Sequence, residues 1–325
     1  MATIKDVARE AGVSVGTVSK VINNIPVKPA TKAMVENAIK KLNYEPDVYA
    51  RGFKMNRTNS VAVILPTIWN PFFSELAYNI EKNLSSFGMK MILCNSEDNQ
   101  SSELEYITMA KQNKVDGIIA ITYSDIDKYV STNIPIISID RYFSDSITYV
   151  SSDNLTGGKL AAEELVKSGC KNIAYIGRGS KINNATRNRK KGFVGYCEEN
   201  NISYKVCDSL GSSKEFDSIL NNFLIDNFKN NIKIDGIFTI TDEYARDVIK
   251  RLREFNIKVP DDVQIIGYDG SRSSAKDTIE ISTIRQPIEL IAKESVSSLI
   301  DLIDKKEVEK EIVLPVKFIK GYTTK

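Results

Sequence analysis

The 325-residue chain contains no histidine. That removes Ser-His and Cys-His nucleophilic pairs, and most catalytic zinc sites, from the chemistry open to it. Cysteine is scarce too. Cys94, Cys170, Cys197 and Cys207 show no CxxC spacing and read as reduced, ordinary residues of an intracellular protein. No apolar run approaches the ~20 residues of a transmembrane helix, and the N-terminus has no signal-like apolar region. The expectation is a cytoplasmic protein with no membrane contact. GxxxxGK(S/T), GxSxG and HExxH are missing, and "GRGS" is not a dinucleotide fingerprint. No catalytic residue, metal ligand or cofactor is assigned, and the chain reads as a non-enzyme.

Net charge is also small, +2, but it is unevenly placed. Residues 1–57 carry ten basic and five acidic side chains, which leaves the rest mildly acidic. A basic head on an acidic body points to a polyanion partner for the head alone. The length suits two or three domains.

The head begins "MATIKDVAREAGVSVGTVSKVINN". Thr3 can cap a first helix, with Asp6 three residues on. Ile4, Val7, Ala8 and Ala11 then share one face. Gly12 allows a tight turn, and Ser14 can cap a second helix with Val18, Val21 and Ile22 inward. A third helix follows Pro29, with Met34, Val35, Ala38 and Leu42 inward, and stops before Pro46. Three short helices of this kind make a helix-turn-helix. Its second helix enters the major groove and presents Val15, Gly16, Thr17, Ser19 and Lys20. Thr17 and Ser19 suit phosphate. Lys20 suits a guanine edge or a phosphate, and Val15 a thymine methyl. On local pattern alone, a small helical protein-contact module remains the alternative.

"TIKDVAREAGVSVGTVSKVIN" followed by "VKPATKAMVENAIKKLNYEPDVYARGF" resembles the DNA-binding head of the LacI/GalR family of bacterial transcription regulators. The resemblance implies an operator-binding domain over residues 1–46, with Thr3, Ser14, Asn23 and Tyr44 added to the contact set. It implies a hinge helix and linker over 47–59, where Arg51 meets DNA and Phe53 stands at the family's minor-groove wedge. Phe can unstack a base step and kink the duplex. Gly52 weakens an isolated helix by up to about 1 kcal/mol, which suits a segment that folds on DNA.

From residue 60 strands and helices alternate, the mark of parallel sheets covered by helices. The pattern then repeats. "SVAVILP" is answered by "NIAYIGR" at 172–178, "VDGIIAIT" at 115–122 by "IDGIFTIT" at 234–241, and "IPIISID" at 134–140 by "VQIIGYD" at 263–269. The fold expected is a small all-α head plus an α/β body, 60–325, of two similar parallel-sheet lobes. This body resembles the periplasmic sugar-binding proteins and the family's effector domain. Ligands of such sheets bind beyond the carboxyl ends of the strands.

Asp140 and Asp269 end equivalent strands, and each is read either as a cleft acceptor or as a cap or loop ion pair. Arg141 can pair with Asp140. Asp242 can cap the helix after "GIFTIT", and Asp153 and Asn154 can cap the helix "LTGGKLAAEEL"; the resemblance puts all three near the ligand. It also makes Arg189 of "TRNRKKGF" an effector contact, through a fork that holds two oxygens at once. In "TIWNPFF", Trp69, Phe72 and Phe73 are read as sugar-stacking rings or core, and Asn70 as a hydrogen-bonding partner. Fluorescence of Trp69, the only tryptophan, is expected to follow cleft occupancy. "TGG" is read as backbone packing.

These readings combine into a dimeric repressor whose operator is released when a small effector, a sugar, enters the cleft. "VKPAT" and "ARG" also resemble the catabolite-control branch, so a co-repressor-controlled regulator answering to a phosphoprotein or a purine stands as an alternative. A cytosolic sugar-binding protein without specific DNA binding is the alternative of another class. The C-terminus shows no heptad extension, which favours a dimer.

Overall fold

The structure is a computed structural model that describes residues 2–23, 25–44, 57–124, 126, 134–143, 147–182, 184–229, 233–272, 274 and 276–325. It divides into two compact units, Met1–Thr58 and Asn59–Lys325.

The first unit holds helices α1 (Ile4–Glu10), α2 (Val15–Ile22) and α3 (Pro29–Lys41). Thr3 and Asp6 form a full capping box on α1, and the Ser14 hydroxyl accepts from the Thr17 amide to start α2. Gly12 takes φ +62°, the left-handed turn that glycine allows at least cost. α3 opens on Pro29, whose missing N–H costs nothing at a helix start. Val7, Val18 and Val35, one from each helix, are fully buried together with Ala8, Ala11 and Ala38. Met34 departs from expectation and is 50% exposed. The buried stripe of α3 runs through Val35 and Ala38, with Ile39 and Leu42 packed beside it, and Met34 lies one residue, about 100°, off that stripe.

The second unit contains two six-stranded sheets. The first has β1 (Ser60–Leu65), β2 (Lys90–Asn95), β3 (Gly117–Ala120), β4 (Ile136–Ile139), β5 (Thr148–Ser152) and β11 (Glu311–Leu314), in the order β11-β5-β4-β3-β1-β2. The second has β6 (Asn172–Arg178), β7 (Ser203–Ser209), β8 (Gly236–Thr239), β9 (Gln264–Asp269), β10 (Thr283–Arg285) and β12 (Lys317–Ile319), in the order β12-β10-β9-β8-β6-β7. The two orders are the same, as the repeated sequence pattern requires. One pairing departs from the all-parallel expectation: β12 runs antiparallel to β10.

Helices cover both faces of each sheet. The covering helices are α4 (Pro71–Ser86), α5 (Gln100–Gln112), α6 (Asn154–Lys167), α7 (Arg187–Glu199), α8 (Ser213–Leu224), α9 (Asp242–Glu254) and α10 (Ile288–Ile303). Along β1, Val61, Val63 and Leu65 join the core under α4 and α10, while Ala62 and Ile64 join the opposite core. This explains the continuous apolar run: a strand covered on both faces has no polar side. The chain passes between lobes three times, at Asp153, at Gln286–Pro287 and between Leu314 and Lys317.

One contact sets the place of α7. Glycines bring it into backbone contact with α6: a Cβ on Gly158 would stand 1.9 Å from the Arg189 carbonyl oxygen, and one on Gly192 1.9 Å from that of Leu155. "TGG" is therefore a helix-packing device.

Candidate functional site

A cavity of about 510 Å³ opens between the lobes. Its walls come almost wholly from the residues just beyond strand carboxyl ends, as open α/β sheets dictate. Asn70, Phe72 and Phe73 follow β1, Asp140 follows β4, and Asp269 ends β9. Arg189 reaches in from the first turn of α7.

Arg189 is 2% exposed and organises the buried end. Its Nε donates to Asn154 Oδ1 at 2.7 Å, and its Nη1 to the Ile240 carbonyl at 2.6 Å. Asp269 Oδ1 lies 3.6 Å from the same Nη1. The guanidinium carbon sits 3.7 Å from the Tyr268 ring centroid, an arrangement worth up to about 2 kcal/mol when desolvated. Asn154 donates onward to Ser151 Oγ, and Ser151 to Asp140 Oδ1. On the other side Gln286 donates to Asp269 Oδ1 and accepts from Ser152 Oγ at 2.6 Å. Two of the three chain crossings, at Asp153 and Gln286, are thus tied into one network with the cavity floor. Among the described residues none accepts from Arg189 Nη2.

The two strand-end aspartates are also conformational equivalents. Asp140 has φ +58° and Asp269 +108°, a half of φ space that side chains other than glycine seldom use. Such strain persists where surroundings over-determine it, typically at binding sites. Burial pushes both carboxyls above the usual range, and the charge of Arg189 opposes the rise.

The other proposed ligand contacts lie elsewhere. Trp69 is 92% exposed and lines a separate cavity of about 440 Å³ with Tyr78, Glu75 and Arg272. The ring sought as a reporter of cleft occupancy therefore stands in solvent at that surface and does not line the cleft. The reason is local: Asn70 caps α4, which turns Phe72 and Phe73 inward and leaves Trp69 before the cap. Asp153 caps α6 through the Thr156 amide. Arg141 turns its guanidinium to Thr122 and Ser124 and lies over the Phe143 ring. Asp242 does not cap α9; Thr241 does. Asp242 instead accepts from Thr283 Oγ1, the Ser271 amide and Ser271 Oγ, buried behind the cleft wall.

Burial raises the pKa of Asp242 against those hydrogen bonds. The folded body then holds protons that the unfolded chain gives up. Stability from this group is full below the ordinary aspartate value and is lost as pH rises through the raised one. Urea unfolding from about pH 5 to about pH 7 is expected to show it: the stability difference between wild type and Asp242→Asn should shrink as pH rises. A difference that stays flat across that range would mean the carboxyl is already ionised in the fold.

Sequence reading missed Asp98, Tyr123, Arg178, Asn184 and Gln286, all of which line the cavity. Most stand one to three residues past a strand end, so reading every strand end for polar groups finds them. Gln286 follows β10, a three-residue strand with too little pattern to detect.

On the head, Val15 is 39% exposed, and Gly16 and Lys20 are exposed beside it. Thr17 and Ser19 are half-buried. The hydroxyls of Thr3 and Ser14 are engaged in caps, and the Thr17 hydroxyl pairs with that of Ser14. Asn23 Nδ2 donates to the Ser19 carbonyl, and Tyr44 packs on the head core. Arg51 and Phe53 lie outside the described residues.

A helix-turn-helix head followed by a two-lobed body with a polar cavity at its strand ends defines a ligand-sensing DNA-binding protein. The comparisons agree: the family "Bacterial regulatory proteins, lacI family" matches residues 3–47, and a "Periplasmic binding protein-like domain" matches 162–324. The chain is 37% identical over 324 residues to the sucrose operon repressor of Pediococcus pentosaceus, covering 98% of each. It is 35% identical over 329 residues to the ribose operon repressor of Halalkalibacterium halodurans, covering 100% of this chain and 98% of that one. A LacI-type regulator of Alkaliphilus metalliredigens, solved with D-xylulofuranose, superimposes with TM-score 0.72 at 30% identity, over 82% of this chain and 99% of that one. The chain belongs to the LacI family of bacterial transcriptional regulators. Among its described residues no helix is long and apolar enough to cross a membrane.

Proposed function

We propose that the protein is a cytoplasmic, dimeric repressor of a sugar-utilisation operon, and not an enzyme, whose sugar ligand binds between the lobes and releases a palindromic operator. One observation carries the ligand half: Arg189, Asp140 and Asp269 meet in a cavity whose network includes two chain crossings. A polyol seated there bonds groups of both lobes and so favours one lobe arrangement over another, the condition for a population shift. The relatives named as sucrose and ribose operon repressors support sugar as the class. Two heads then read half-sites related by the protein's two-fold axis. A phosphoprotein co-repressor is not part of this reading.

The deciding experiment is fluorescence anisotropy of a labelled palindromic operator challenged with sucrose, fructose, glucose, ribose and xylulose. Release by one of them, with operator affinity falling about 5–150-fold at saturation, supports the proposal. Tightening by a sugar, or no response to any, overturns it. The same assay tests the head. Lys20→Ala is expected to weaken operator binding by about 1–3 kcal/mol and random-DNA binding by less. Equal losses would make Lys20 a phosphate contact only.

A further inference from the structure

We infer that the cleft carries a second sugar subsite at its mouth, built by Asp98, Arg178, Ser180 and Lys181, so that its ligand is a disaccharide and not a single ring. This rests on the sugar-sensor reading above and specifies the ligand of the same site.

Volume is the first ground. The lobes already touch across the cavity: Asn70 Nδ2 donates to Glu243 Oε2 at 3.0 Å, and the Ala185 amide to the Asp140 carbonyl at 2.9 Å. The 510 Å³ is therefore the space that remains with the lobes in contact. At the packing density of an organic crystal a pentose fills roughly 160 Å³ and a disaccharide roughly 350 Å³. A single ring would leave most of the cleft to water.

The distribution of polar groups is the second. One set is buried, with Arg189, Asp140, Asp269 and Gln286. The other lies nearer solvent, with Asp98 and Lys181 exposed and Arg178 and Ser180 half-buried. Both sets line the same cavity, as do Phe73, Tyr123 and Tyr244. Each set mixes donors with acceptors, as a ring of hydroxyls requires. Four carboxyl groups (Asp98, Asp140, Glu243 and Asp269) stand with three basic groups (Arg178, Lys181 and Arg189), a mix of acceptors and donors that suits a polyol.

The third ground is the way the outer set is held. Arg187 Nη2 donates to the carbonyls of Ser180 at 2.6 Å and Lys181 at 2.9 Å, which fixes the backbone that presents them. The charge of Arg178 acts on Tyr244 and on Asp98 of the other lobe. Its buried Nε has no acceptor among the described residues. The groups for a second ring thus come from both lobes, on a backbone fixed in advance.

Isothermal titration of the full-length protein tests this, with sucrose, maltose and cellobiose as probes beside glucose, fructose, ribose and adenosine. At least one disaccharide is expected to bind about ten-fold or more tighter than its own monosaccharides, the gain from one or two further charge-assisted hydrogen bonds. Asp98→Asn and Arg178→Gln should each cut that preference about ten-fold. A monosaccharide or adenosine that binds as tightly as any disaccharide overturns the inference and leaves the sensor reading standing if a sugar binds. So do variants that weaken one-ring and two-ring ligands equally. Binding of no sugar overturns the sensor reading itself.

Discussion

Arg189→Ala is expected to abolish ligand-induced operator release and to destabilise the second unit by about 3–5 kcal/mol, the usual cost of removing one partner from a buried charge cluster. The size follows from what the guanidinium holds. Burial opposes its charge, but the charge interactions with Tyr268, Asp269 and Asp140 outweigh that and raise its pKa. Without it Asn154 Oδ1 and the Ile240 carbonyl lose their donor, and the carboxyls of Asp140 and Asp269 lose their nearest cation. Neutral carboxyls are the relaxed outcome, so both should protonate. Arg189→Lys keeps the charge and loses the fork; it should fold better than the alanine variant and still respond poorly. Urea unfolding and the operator-release assay read both effects. A normal response in a folded Arg189→Lys or Arg189→Ala protein would remove the residue from the site.

Gly192→Ala and Gly158→Ala should each cost about 3 kcal/mol or more, at or above the upper end for overpacking. Most overpacked sites relax by moving a side chain. Here the obstacle is helix backbone: a Cβ at Gly192 also comes within 2.8 Å of the Lys159 amide nitrogen, and one at Gly158 within 3.0 Å of the Phe193 nitrogen. The helices must separate, and α7 carries Arg189 with it. Gly195 supplies the control. It lies on the same helix, and a Cβ there meets nothing within 4 Å. Gly195→Ala should therefore stabilise by about 0.5–1 kcal/mol. The three variants, compared by urea midpoint and by ligand affinity, separate helix propensity from helix contact. Equal behaviour of Gly192→Ala and Gly195→Ala would show that α6 and α7 do not touch as described.

The DNA-reading head was legible almost to the residue because its signals are local. A capping threonine, a turn glycine and a capping serine act within one helical turn, and apolar positions three and four apart select the buried face. The one slip, Met34, came where α3 offers more apolar residues than its stripe can hold. The two lobes were legible for a related reason. A strand covered on both sides must be apolar throughout, so β1, β3, β4 and their counterparts β6, β8 and β9 announce themselves. The short or half-exposed strands β5, β7, β10, β11 and β12 do not.

Strand-end aspartates were visible to the same reading, since a charged residue closing an apolar run is conspicuous. What they do was not. Asp140 and Asp269 came to one cavity, but Asp242, equally conspicuous, was drawn behind the wall by Thr283 and Ser271, more than twenty residues away in sequence. Trp69 looked like the natural stacking ring and faces away because its neighbour Asn70 caps the helix. Gln286 enters the site only because the chain crosses between lobes at that point. The sequence by itself determined the elements, their repetition and the chemistry stored at their ends, since each depends on neighbours a few residues away. Tertiary structure alone decided which ends converge, because that rests on three chain crossings and on a glycine contact between α6 and α7, both set by residues distant in sequence.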